Sequence, residues 1–220
     1  MIWFITILVM VASLLVQNVL QSRIEKYSGV HINMTGAEVA SEMLHQSGIY
    51  DVSITCINGT LTDHYNPETK TVNLSQEVYS GRSIAAAAIA AHECGHVIQH
   101  ATGYGPLKLR TAVVPMVSFA NKTVQWVILI GVLLIQITSA FLWLGVAMFA
   151  LTTLFSFITL PVEVNASQRA VEWLDKTGIS DSTTSLYAKD ALKWAAYTYV
   201  IAALGSLATL FYYIGLARRN

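Results

Sequence analysis

The chain has 220 residues, of which 54% are hydrophobic and 12% charged, and its 13 basic and 13 acidic side chains cancel. A mean hydropathy of +0.52 is too high for an ordinary soluble domain and indicates membrane spans. The charge balance argues against nucleic acid as a partner. Two cysteines, Cys56 and Cys94, are too few for a disulfide framework.

The first 20 residues form an uncharged apolar run. About 20 such residues are enough to cross a bilayer as a helix. A cleaved signal peptide is the alternative, but no basic segment precedes the run. We therefore predict a retained transmembrane helix over 1–20, with Arg23 and Lys26 as the interfacial anchor that follows it.

Residues 21–110 are mixed in polarity and predict a small α+β segment. The sequence Thr35-Gly36-Ala37-Glu38 is a capping box that predicts a helix to about Gln46. Strands are predicted over 51–57, through Tyr65 and over 70–74, with a hairpin turn at Asn58-Gly59 and a short helix capped by Ser75. Thr71–Leu74 is the candidate edge strand for holding an extended peptide. Simple packing against the next helix is the open alternative.

The next helix, from Ser83 to about Ala101, contains the motif His92-Glu93-Cys94-Gly95-His96, which has the pattern H-E-x-x-H. Two histidines four residues apart lie on one helix face and can bind a single ion. Glu93 is placed to take a proton from a water on the metal, and zinc fits these ligands. A chance motif is the alternative. The alanine-rich run before it, however, indicates a buried helix, in which His and Glu need partners.

A catalytic zinc usually takes a third protein ligand. His100 is one candidate, but it lies about 12 Å from His92 along a straight helix, so we interpret it as a residue of the helix end or as one that supports a ligand. Glu163 is the stronger candidate, because it directly follows the last arm of an apolar hairpin. A glutamate favoured by the dipole at a helix N-terminus is the alternative. Ser167, one turn further on, is placed to hydrogen-bond a ligand.

The second half of the chain predicts three further spans. Residues 123–160 carry no charge, and as one helix they would be about 57 Å long, so we predict a hairpin over 111–160 with its tip at 136–139. Lys122 is expected to snorkel or to face protein. Residues 161–193 are predicted as the third-ligand helix and a loop, with Pro161 at the exit from the hairpin. A fourth span covers 194–217, with aromatic residues near both ends.

Three stretches carry a family resemblance: DHYNPETKTVNLS, SIAAAAIAAHECGHVIQ and LPVEVNASQRA. Together with the layout of the spans, they make essentially the whole chain similar to the YugP-like family of membrane zinc metallopeptidases. The resemblance implies a bacterial metalloprotease with zinc at His92, His96 and Glu163. The pattern is also similar to gluzincin membrane proteases in which an aspartate stands one turn after the third-ligand glutamate; here Ser167 stands at that place.

The resulting prediction is a mainly α membrane protein with four transmembrane helices and a small α+β, zincin-like catalytic domain. Its predicted reaction is hydrolysis of peptide bonds by zinc-activated water, with Glu93 as the general base and a protein or peptide as substrate. The candidates for stabilising the transition state are His64, Tyr65, Tyr104 and Arg169.

Two alternatives stay open, an intramembrane protease and a non-enzymatic membrane scaffold with a chance motif. A membrane-protein partner or a homo-oligomer also stays open. Basic residues flank the spans mainly on the catalytic side, which predicts a multi-pass protein of the cell membrane with its active site in the cytoplasm.

Overall fold

The computed structural model describes residues 2–218, which form seven α-helices and three β-strands. In chain order they are α1 Ile2–Ser28, α2 Gly36–Gln46, β1 Ser53–Ile57, β2 His64–Asn66, β3 Thr71–Ser75, α3 Gln76–Tyr79, α4 Ile84–Ala101, α5 Gly105–Leu133, α6 Ala140–Thr177 and α7 Ser182–Arg218. Among these, α1, α5, α6 and α7 are long and apolar enough to cross a membrane. The predicted fold class, a mainly α membrane protein with four spans and a small sheet, is confirmed.

The long helices extend beyond their predicted bounds. α1 continues past residue 20 to Ser28, α5 begins at Gly105 and not near 111, and α7 begins well before 194. For α7 the reason is a cap: the Asp181 carboxylate accepts hydrogen bonds from the backbone N–H groups of Thr183 and Thr184, at 2.9 and 2.7 Å. The polar residues that follow therefore form the first turns of the helix, because hydropathy marks its apolar part and not its ends.

Pro161 does not end a helix, contrary to the prediction, because α6 continues through it to Thr177. A proline inside a helix removes one hydrogen bond and costs about 3 kcal/mol. The turns after Pro161 bury Val162, Ala166, Ala170 and Leu174 completely. This packing offsets the cost of the proline, so the helix passes through it.

The described residues form two compact units. The first, here called the helical unit, comprises 2–15, 108–161 and 198–218. Its buried cluster includes Val124 and Ile128 of α5 and Leu142 and Val146 of α6. A β-carbon on Gly131 would lie 2.6 Å from the backbone nitrogen of Leu142, so glycine is what lets these two helices approach closely.

The second unit, here called the mixed unit, comprises 16–107 and 162–197. Its core includes the apolar faces of α2 and α4 and the central strand of the sheet. The capping box of α2 is present, with the Thr35 hydroxyl accepting from the Glu38 N–H and the Glu38 carboxylate accepting from the Thr35 N–H. The helix predicted there is therefore confirmed.

The sheet has the order β1-β3-β2, with β1 parallel and β2 antiparallel to β3. The predicted hairpin at Asn58-Gly59 is therefore wrong, and so is the choice of β3 as an edge strand. The reason is Asp63, whose carboxylate accepts hydrogen bonds from the backbone N–H and the hydroxyl of Ser75, at 2.7 and 3.1 Å. These bonds bring the start of β2 to the end of β3. The Ser75 hydroxyl is thereby used and does not cap α3.

Candidate metal centre

Helix α4 carries the H-E-x-x-H motif through the core of the mixed unit. It begins at Ser83, whose hydroxyl accepts from the Ala86 N–H at 3.2 Å, and none of the alanines between residues 85 and 91 exposes more than 4% of its surface. The His92 and His96 rings lie edge to face, 4.8 Å apart between centroids, with their planes at 85°. One turn of a well-buried helix thus holds both imidazoles in fixed orientations.

Glu163 of α6 meets both histidines. Its Oε2 atom lies 3.4 Å from Nε2 of His92 and 3.4 Å from Nε2 of His96. The candidate ligand atoms of the three residues all lie within 4.8 Å of one another. His100 is not part of this group; it is exposed and its ring stands 6.0 Å from that of Tyr65. The structure thus brings together the three residues predicted as ligands and leaves His100 outside.

The donor set fits a zinc ion. Two ligands that are each about 2.1 Å from a tetrahedral zinc stand about 3.4 Å apart, which is the separation found between Glu163 and each histidine. Two imidazoles and a carboxylate also leave the fourth position that a catalytic zinc keeps open. Burial disfavours the charged form of His96, but the carboxylates of Glu163 and Glu93 outweigh it and raise the pKa of that imidazole. The site therefore favours a positive charge among the three side chains.

Hydrogen bonds fix the ring orientation of both histidines. His92 Nδ1 lies 3.1 Å from the hydroxyl of Ser167, and His96 Nδ1 donates to the amide oxygen of Gln99 at 3.1 Å. Gln99 is fully buried and its amide nitrogen donates to the Val162 carbonyl at 2.7 Å and to Asn165 at 3.1 Å. Such partners leave Nε2 of each ring for a metal.

Ser167 was expected to bond a ligand, whereas sequence reasoning missed Gln99. The available signal was its position three residues after His96, on the same helix face. A buried amide there needs partners, and the pair it finds lies on α6. Gln99 consequently ties together the two helices that carry the candidate ligands.

Glu93 is buried, with 8% of its surface exposed, and its Oε2 accepts a hydrogen bond from the backbone N–H of Tyr65 at 3.1 Å. Tyr65 belongs to the edge strand β2, so the open edge of the sheet faces the carboxylate. Burial raises the pKa of the Tyr65 phenol, which keeps it neutral and able to donate a hydrogen bond.

The other residues suggested for the transition state are engaged elsewhere or lack a described contact with the site. The His64 ring nitrogens lie 2.8 Å from the Thr62 carbonyl and 3.2 Å from the Asn73 amide. Arg169 donates to Asn165 at 2.8 Å. Of the four candidates, Tyr65 is the one with a hydrogen bond to the motif.

A cavity of about 420 Å³ opens beside the first turns of α4, and its lining includes Ile24, Glu25, Leu61, Glu77 and Ile89. Ile89 precedes His92 by three residues, so the cavity lies about one turn along the same helix. Sequence reasoning did not find it, because four separate segments of the chain form its walls.

Four membrane-spanning helices and a His-His-Glu group beside a buried glutamate together define the class of membrane zinc-peptidase-like proteins. A family model described as "Putative neutral zinc metallopeptidase" matches residues 2–218, and the chain belongs to this family. It is 41% identical over 213 residues to the "Putative membrane protease YugP" of Bacillus subtilis (strain 168), with 96% of this chain and 94% of that protein aligned. No solved structure matches the chain. The family predicted from the three sequence stretches is therefore confirmed.

Proposed function

We propose that the protein is a membrane-anchored, zinc-dependent protease that hydrolyses peptide bonds, with His92, His96 and Glu163 as the zinc ligands. The observation that carries the proposal is the convergence of these three side chains, with Glu163 3.4 Å from each histidine. A chance H-E-x-x-H sequence would give no reason for a carboxylate on another helix to meet both imidazoles.

Zinc bound there would supply a Lewis acid that polarises the scissile carbonyl and lowers the pKa of the attacking water. A side chain of the protein transfers the proton. Glu93 takes it from the water and passes it to the leaving nitrogen. The Tyr65 N–H, at 3.1 Å, holds one carboxylate oxygen in place. That bond leaves the other oxygen for the water.

The substrate is proposed to be a protein or peptide that binds in extended form. The edge that faces the site belongs to β2, and an extended chain can pair with such an edge through backbone hydrogen bonds. The cavity beside Ile89 offers room for a side chain of the bound peptide. The Tyr65 phenol, kept neutral by burial, is our candidate for stabilising the oxyanion.

The active site is proposed to lie on the cytoplasmic side of the cell membrane. The lysines and arginines that flank the spans on the catalytic side are Arg23, Lys26, Lys108, Arg110, Lys189 and Lys193, against Arg218 and Arg219 at the other end. An excess of basic residues marks the cytoplasmic side.

A cleavage assay with added metal tests the proposed reaction. The purified protein in detergent should cleave an unfolded protein such as casein, lose this activity with a chelator, and recover it with about one equivalent of zinc per chain. Bound zinc without cleavage would contradict a protease. Absence of stoichiometric zinc would favour the scaffold, and cleavage restricted to transmembrane segments would favour an intramembrane protease.

A further inference from the structure

Helix α5 carries a charge where its surroundings are apolar. Lys122 is the only charged residue between 111 and 160. Its side chain is exposed, and none of the ion pairs among the described residues includes it. An exposed lysine is ordinary in water, but in a membrane span it faces lipid.

The position of Lys122 along α5 places it near the middle of the span. It lies 12 residues after Arg110 and 12 before Leu134, where the polar turn 134–139 begins. At about 1.5 Å per residue, each end is about 18 Å away, and the hydrocarbon core is about 30 Å thick. A lysine side chain is shorter than this distance, so its ammonium group cannot reach either interface by snorkelling.

The face that carries Lys122 is the one turned away from the rest of the helical unit. Val117, Ala120, Val124, Ile128 and Gly131 are buried and follow one stripe of α5. The opposite stripe, at spacings of three and four residues, has exposed fractions of 67% at Phe119, 59% at Trp126, 49% at Leu129 and 73% at Leu133. Lys122 lies within this stripe, between Phe119 and Trp126.

The helical unit has no counter-charge to offer. Residues 2–15, 108–161 and 198–218 contain no aspartate or glutamate. The helical unit of a second copy would therefore bring a second lysine and no acid. Ionisable side chains at this depth in membrane proteins pair with one another or line polar cavities.

We propose that this stripe of α5 is the docking surface for a transmembrane helix of another membrane protein that carries an aspartate or glutamate near the bilayer middle. The Lys122 ammonium donates hydrogen bonds to that carboxylate, and the aromatic side chains of Phe119 and Trp126 pack on either side of the pair. The proposal is independent of the proposed protease function.

The test uses the full-length protein in liposomes of zwitterionic lipid, with fluorescently labelled leucine-rich transmembrane peptides that carry aspartate, asparagine or leucine at the centre. Energy transfer should show the aspartate peptide associating about tenfold more tightly than the leucine peptide, which is the size of effect found for polar pairs between transmembrane helices. Lys122→Leu should abolish this preference, whereas Lys122→Arg should retain it. The matched control is Lys108→Leu, which removes a lysine at the end of the span and should leave the preference unchanged.

Equal association of the aspartate and leucine peptides with the wild type would overturn the proposal, as would a preference that survives Lys122→Leu. Energy transfer between two labelled copies that is lost in Lys122→Leu would assign the surface to a second copy instead. A preference that appears only with anionic lipid would assign Lys122 to lipid binding. Circular dichroism and thermal unfolding confirm that each variant is folded, and neither depends on zinc binding or on proteolytic activity.

Discussion

Helices α4 and α6 approach closely where Gly95 faces Ala166: a β-carbon on Gly95 would lie 2.6 Å from the Ala166 carbonyl oxygen and 3.0 Å from its α-carbon. Gly95 stands directly before His96, and Ala166 stands three residues after Glu163. The absence of a side chain at this one position thus allows the proposed ligands of two distant segments to meet.

Gly95→Ala should therefore separate the two helices. Because the obstructing atoms belong to the backbone, we expect a loss of about 1–3 kcal/mol in the free energy of unfolding and a loss of bound zinc. Thermal unfolding and metal analysis measure both. Gly105→Ala is the matched control, since a β-carbon there meets nothing within 4 Å. Full zinc and an unchanged unfolding temperature in Gly95→Ala would show that the close contact is not needed.

Glu93→Gln should keep zinc and lose proteolysis. The amide retains an oxygen that can accept from the Tyr65 N–H but cannot take a proton, so the rate should fall by about 10²–10⁴-fold. Metal content and cleavage of casein are measured on the same preparation, with exposed Glu68→Gln as the control. Zinc lost from a folded Glu93→Gln variant would instead make Glu93 a ligand.

Gln99→Leu should weaken zinc binding, although Gln99 bonds Nδ1 of His96 and not Nε2, the proposed ligand atom. The change removes the acceptor for His96 Nδ1 and the donor to the Val162 carbonyl, and losses of this kind cost about 10–100-fold in metal affinity or activity. Gln99→Glu keeps the acceptor and should recover part of the affinity. Competition with a chromogenic chelator gives the affinity, and exposed Gln168→Leu is the control. Unchanged affinity in Gln99→Leu would argue that packing alone orients His96.

The two cysteines provide a test of sidedness. Cys56 is exposed, whereas Cys94 is fully buried, and burial raises the pKa of the Cys94 thiol. Only the thiolate reacts with maleimides, so a membrane-impermeant maleimide should label one thiol per chain in inverted vesicles and none in right-side-out vesicles. Cys56→Ser should remove the label. Labelling of Cys56 from the outside would refute a cytoplasmic active site.

The sequence predicted those parts of the molecule that depend on short-range spacing. The interval between His92 and His96 sets them on one helix face, and the box from Thr35 to Glu38 caps α2 through bonds between near neighbours. Glu163 was a candidate because the apolar run before it has to fold back, which is a matter of length alone. Such features need no knowledge of distant packing.

The features that sequence reasoning missed depend on contacts between distant segments. Strand β2 pairs on the far side of β3 because the Asp63 carboxylate accepts a hydrogen bond from Ser75. The residues of the turn give no indication of this hydrogen bond. Helix α6 continues through Pro161 because the turns after it are buried. Local helix propensity does not predict that burial. Gln99 matters through its contact with Val162, 63 positions along the chain.

The assignment of Glu163 as a zinc ligand is tested by the zinc content of Glu163→Ala beside that of His100→Ala, both purified as folded protein with the wild type. Glu163 meets both histidines at 3.4 Å, whereas His100 lies outside the group. We expect about one zinc per chain in the wild type and in His100→Ala, and no stoichiometric zinc in Glu163→Ala. Zinc kept in Glu163→Ala and lost in His100→Ala would contradict the assignment.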